Sequence, residues 1–131
     1  MHYDITPCTK PRQTRADKWK QRPCVMRYRA FADECRLKRV NIEQSGQKIT
    51  FLIPMPKSWN KKKRAEMNMQ PHQQTPDVDN LLKAVLDATH KQDCTVWSIW
   101  AEKRWSDYGA IVINKIAEIE HGYHERHGST S

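Results

Sequence analysis

The stretch VDNLLKAVLDAT, Val78 to Thr89, constrains the fold more than any other part of the chain. Val78, Leu81, Leu82, Val85 and Leu86 recur at helical spacing, which predicts an amphipathic helix with one buried face. Such a face has to be covered by another element. QKITFLIPM, held between Gly46 and the prolines 54 and 56, is short, β-branched and apolar and reads as a buried strand. Two later runs, CTVWSIWAEKRW and GAIVINKIAEIE, read as strands joined through SDY and Gly109 as a hairpin. From Pro23 the residues Val25, Tyr28, Phe31, Ala32, Cys35 and Val40 form a second helical stripe, with Gly46 expected to end that element. SWNKKKRAEM reads as a short helix capped by Ser58 or Asn60, and NMQPHQQTP as a polar connector free to move.

These elements predict an α/β chain of the α+β two-layer kind, a small mixed β-sheet packed against two or three helices. The expected organisation is one domain over 1–119, with a basic arm at about 7–22, followed by a polar, flexible tail over 120–131. A length of 131 residues suits one core.

With 23 Lys and Arg against 15 Asp and Glu the formal charge is +8, the footprint of a protein that meets nucleic acid. The positive pole is Lys10 to Arg39, which holds eleven Lys or Arg and only three acids. No apolar run approaches the roughly 18 residues of a membrane span, and the N-terminus lacks a secretory apolar region, so a cytoplasmic protein with no membrane partner is expected. Cys8, Cys24, Cys35 and Cys94 have no C-x-x-C spacing and read as incidental thiols. His121, His124 and His127 read as part of a solvated tail rather than as a metal site.

Against that background the acids of TPDVDNLLKAVLDATHKQD stand out. Asp79, Lys83 and Asp87 share the polar stripe of the helix, opposite its apolar face. Asp77 joins Asp79 only if it lies outside the helix, and the preceding Pro76 with Asp as an N-cap favours that arrangement. Two neighbouring carboxylates repel unless a cation lies between them, and Mg²⁺ or Mn²⁺ with oxygen ligands would resolve the conflict. A plainer reading stays open, in which Asp77 caps the helix, Asp79 meets its dipole and Asp79 pairs with Lys83 at i, i+4. Asp93 sits where the chain returns toward the next strand, placed either to face the helix start or to serve a turn. A bare acidic cluster would repel DNA, whereas a metal-loaded one would clamp the phosphates that the basic pole attracts. That is the layout of a metal-dependent nuclease, with Asp77, Asp79 and Asp93 as metal ligands and Lys83 as the cation beside the scissile phosphate.

PDVDNLLKAVLDA, an Asp just before a strand, and then EKRW resemble the RusA family of Holliday junction resolvases, including its phage and prophage members. The core of the resemblance runs from Pro76 to Trp105, and the flanking similarity reaches to about Ile113. It implies a small homodimeric α/β endonuclease that uses Mg²⁺, or Mn²⁺ in its place, to nick two opposed strands of a four-way DNA junction symmetrically, in DNA recombination and repair. It assigns the D-x-D acids to Asp77 and Asp79, the later acid to Asp93 and the family lysine to Lys83. The connection THKQD is shorter than in many members, and Gln92 stands where a second acid often precedes the last one.

The expected function is therefore that of a crossover junction endodeoxyribonuclease in a bacterial or phage-infected cell. The alternative is a non-catalytic basic DNA-binding protein whose aspartates cap and salt-bridge a helix. Phosphate contacts are expected from Arg12, Arg15, Lys18, Lys20, Arg22, Arg27 and Arg29 and from Lys61, Lys62, Lys63 and Arg64. Of the five tryptophans Trp19 is the candidate for stacking on a base, while core and interface suit most of the others.

Overall fold

A computed structural model describes residues 1–11, 23–43, 45–89 and 96–116. The elements in chain order are β1 (His2–Tyr3), α1 (Pro23–Leu37), β2 (Gln47–Pro54), α2 (Lys61–Met67), α3 (Val78–Thr89), β3 (Ile99–Ser106) and β4 (Ala110–Lys115). The strands form one mixed sheet in the order β1-β4-β2-β3, and with the helices it makes the expected α+β fold. The arm residues 12–22, Asp93 and Cys94, and the tail from 117 onward lie outside the described residues.

β2 is the central strand. It pairs in parallel with β3, from Gln47 opposite Ile99 to Pro54 opposite Ser106, and antiparallel with β4, Leu52 opposite Ala110. A parallel pair needs a long crossover, and residues 55–98, which carry α2 and α3, supply it. The expected hairpin of β3 with β4 is thereby corrected, because β2 lies between them. Asp107, Tyr108 and Gly109 carry the chain across the end of β2, a span of two strand spacings or roughly 10 Å. Four peptide steps reach about 13 Å, enough for the crossing. Pro54 supplies no N–H to extend the ladder and so leaves the end of β2 clear. Glycine is required at 109, since a Cβ there would come within 2.7 Å of the Thr6 Cα.

One face of the sheet is apolar. Ile49 and Phe51 of β2 and Ile111 and Ile113 of β4 join Phe31 and Cys35 of α1 and Leu81, Ala84 and Val85 of α3 in a single buried cluster. The Tyr28 hydroxyl donates to the Ala84 carbonyl at 3.4 Å, linking the two helices. Burial pushes the Cys35 thiol up to about 11, so it packs as a small apolar group. Along β2 and β3 the alternate residues form a polar network, in which Glu102 accepts from Arg104 at 3.0 Å and from Thr50 at 3.4 Å and pairs with Lys48 at 3.1 Å.

α1 ends earlier than expected. Arg39 takes a left-handed conformation (φ 56°), the Val40 N–H donates to the Cys35 carbonyl at 2.9 Å, and Val40 and Ile42 drop into the core. Gly46, with φ 76°, instead shapes the approach to β2. Among the described residues no helix is long and apolar enough to cross a membrane.

Candidate active site at the start of α3

The approach to α3 is pinned rather than loose, contrary to the expectation for the connector 68–76. It runs beside β3, whose outer edge it covers. The Met69 N–H donates to the Trp105 carbonyl at 2.8 Å, the Trp105 N–H to the Gln70 carbonyl at 3.0 Å and the His72 N–H to the Lys103 carbonyl at 3.1 Å. His72 is buried with its ring 4.3 Å from that of Trp105, and Trp59 packs on the other ring contact of Trp105 at 4.8 Å. Burial, helped by the Lys103 charge, lowers the His72 pKa and keeps the imidazole neutral. The Lys103 ammonium then donates to the carbonyls of Gln74 and, at 2.7 Å, Pro76.

Asp77 follows at once. Its carbonyl accepts from the Leu81 N–H at 3.1 Å, so it stands at the cap position with α3 beginning at Val78. This is the placement just outside the helix that the sequence predicts. Asp79 lies in the first turn, and Asp77, Asp79 and Lys83 are all exposed. Leu81 and Val85, on the opposite side of the helix, are fully buried. The burial pattern therefore fixes which way the acidic stripe faces.

The i, i+4 pair between Asp79 and Lys83 does not form. Among the described residues neither the Asp77 nor the Asp79 carboxylate has a hydrogen-bond or ion-pair partner. Asp87, two turns after Asp79 on the same stripe, is treated differently: Lys10 holds it at 2.8 Å. The donors at 77 and 79 are carboxylate oxygens suited to a hard divalent cation. Among the described residues no three His, Cys, Asp or Glu side chains form a group that could hold a metal ion. The third acid expected from the sequence, Asp93, lies outside the described residues.

Basic residues divide in the same way. Arg27 and Arg29 are exposed on α1, and a cavity of about 620 Å³ lined by Ile5, Cys8, Arg27, Phe31, Thr75 and Pro76 sets Arg27 beside the approach to Asp77. Lys61, Lys62 and Lys63 are exposed on α2, which Asn60 caps by accepting from the Lys63 N–H at 2.8 Å. Lys63 lies over the Trp59 ring, its ammonium 4.3 Å from the centroid. Arg64 serves the fold, donating to the carbonyls of Trp59 at 3.3 Å and Pro56 at 3.1 Å and pairing with Asp107 at 3.6 Å. Arg12, Arg15, Lys18, Lys20, Arg22 and Trp19 lie outside the described residues. Trp105 is buried, whereas Trp97 and Trp100 are exposed.

Two lysines that hold the region around α3 were not assigned from the sequence. Lys10 has no local pattern tying it to Asp87, 77 residues away. Lys103 did leave a signal: the alternation Ile99, Ala101, Lys103, Trp105 puts a lysine on the apolar side of β3, where a charge needs a specific partner.

The family model for endodeoxyribonuclease RusA matches residues 3–115, from the second residue of β1 to the end of β4. Comparison with curated proteins and with solved structures returns no match.

Proposed function

The chain belongs to the RusA family of endodeoxyribonucleases, and from that premise we propose that it is a metal-dependent Holliday junction resolvase acting as a homodimer in DNA recombination and repair. The observation that carries the metal-dependent reading is the pair of exposed carboxylates, Asp77 and Asp79, left without a cationic partner among the described residues in a chain of net charge +8.

In this reading Asp77, Asp79 and Asp93 would hold Mg²⁺ or Mn²⁺. When bound, the metal supplies an activated water and charge neutralisation at the phosphodiester. Asp77 contributes from the cap position and Asp79 from the first helical turn, so both side chains are oriented by backbone that the helix itself fixes. Lys83, one turn beyond Asp79 on the exposed stripe, meets the negative charge that develops on the phosphate. Arg27, Arg29, Lys61, Lys62 and Lys63, with the arm residues Arg12, Arg15, Lys18, Lys20 and Arg22, draw in and align the DNA backbone. Two subunits related by a two-fold axis address two equivalent strands of a four-way junction, which gives paired symmetric nicks.

The non-catalytic alternative has the aspartates capping and salt-bridging a helix; Asp77 does stand at the cap position, but the Asp79–Lys83 pair is absent. The test is incubation of the purified protein with a synthetic four-way junction, with and without Mg²⁺. Nicked duplexes in paired yield, only with metal, are expected. Junction binding without cleavage at any Mg²⁺ or Mn²⁺ concentration would reject the proposal.

A further inference from the structure

We propose that Lys103 is a positioning residue for the metal site, acting through the backbone that delivers Asp77; the inference rests on the metal-dependent reading above. A single residue holds the approach to α3 at every second position. The Lys103 carbonyl accepts from the His72 N–H, and its ammonium donates to the carbonyls of Gln74 and Pro76. Asp77 is the next residue in the chain, and its own carbonyl is already committed to Leu81. The peptide units on both sides of the Asp77 Cα are therefore fixed, one by Lys103 and the other by the first helical hydrogen bond.

The choice of partners is informative. A lysine close to exposed acids usually pairs with one of them, yet among the described residues Lys103 makes no ion pair. Its ammonium is satisfied by carbonyl oxygens, so it adds positive charge near the acids without occupying an oxygen that a metal would use. Its position is equally constrained. Lys103 lies opposite Phe51 in the parallel ladder with β2, the best buried strand of the sheet, so the anchor does not shift with the loop it holds. The arrangement matches the way outer residues orient metal ligands elsewhere, where their loss costs roughly 10–100-fold in metal affinity or activity.

The experiment uses the full chain and measures Mn²⁺ binding to the free protein by electron paramagnetic resonance, alongside cleavage of a four-way junction over a range of Mn²⁺ concentrations. The variants are Lys103→Met, which keeps the aliphatic stem, and Lys103→Arg, which keeps donors. For Lys103→Met the Mn²⁺ dissociation constant and the half-activating Mn²⁺ concentration rise about 10–100-fold. Saturating Mn²⁺ brings the cleavage rate back toward wild type, and junction affinity in Ca²⁺ is unchanged. Lys103→Arg recovers part of the metal affinity, and it carries the comparison if the Met variant does not fold.

Unchanged Mn²⁺ affinity in both variants would overturn the assignment to Lys103 while leaving the nuclease intact. A rate loss that metal does not restore, together with weaker junction binding, would overturn it in favour of direct contact with DNA. A wild type that binds no Mn²⁺ would remove the metal-dependent reading itself. One that binds Mn²⁺ more tightly than Lys103→Met without cutting the junction would keep the Lys103 role and reject only the activity.

Discussion

Among the described acids, two groups differ in what the fold does with them. On β3, Glu102 is wrapped by Arg104, Lys48 and Thr50, and on α3 Asp87 is held by Lys10. At the start of the same helix, Asp77 and Asp79 are exposed with no described partner, although the chain has 23 lysines and arginines to draw on. On the proposed function, the contrast separates acids that serve the structure from acids kept for a metal. It also predicts that substitutions in the two groups have opposite consequences.

The largest effect is expected at the bare pair. Asp77→Asn removes a ligand charge and lowers Mg²⁺-dependent junction cleavage by about a thousandfold or more, the rate equivalent of roughly 4 kcal/mol. Junction binding in a gel-shift assay stays the same or tightens, since a negative charge near phosphate is gone. Thermal unfolding shifts little, because the carboxylate has no described partner to lose. Retained cleavage would move Asp77 into the structural group.

Lys83→Ala comes next. Loss of charge stabilisation at the phosphate slows single-turnover cleavage by about 100-fold, with stability nearly unchanged for an exposed residue that pairs with no described acid. A wild-type rate would return Lys83 to a solvated face.

The smallest effect is expected in the structural group, and it appears in stability rather than activity. Burial pushes the Glu102 pKa up, but hydrogen bonds and charges from Arg104 and Lys48 outweigh it and hold the carboxyl below its ordinary value of 4.5. A lowered carboxyl pKa adds stability that is complete above the unfolded value and is lost as pH falls through the folded one. Glu102→Gln therefore costs about 1 kcal/mol near neutral pH. The difference from wild type narrows in denaturant melts as the pH falls from about 4.5, while cleavage at neutral pH is preserved. A constant difference across that window would mean that the network is not what stabilises the charge.

Much of this division was legible in the sequence where local chemistry decides. The apolar period of Val78 to Leu86 fixed which face of α3 is buried, and Pro76 before Asp77 placed that acid just outside the helix. Asn60 was readable as a cap for the same reason. What depended on distant pairing was not legible. Nothing local says that β4 pairs with β2 instead of with β3, that Lys10 reaches Asp87, or that Lys103 holds carbonyls ahead of α3. The end of α1 was misplaced because Arg39, a non-glycine residue, takes the left-handed turn that the sequence suggested for Gly46.

The most direct measurement of the central claim is anomalous diffraction from crystals grown with Mn²⁺. The account predicts a manganese peak at coordination distance, roughly 2.0–2.2 Å, from carboxylate oxygens of both Asp77 and Asp79, with Asp93 completing the set. Crystals with the two carboxylates turned apart, or with manganese bound only elsewhere, would contradict it.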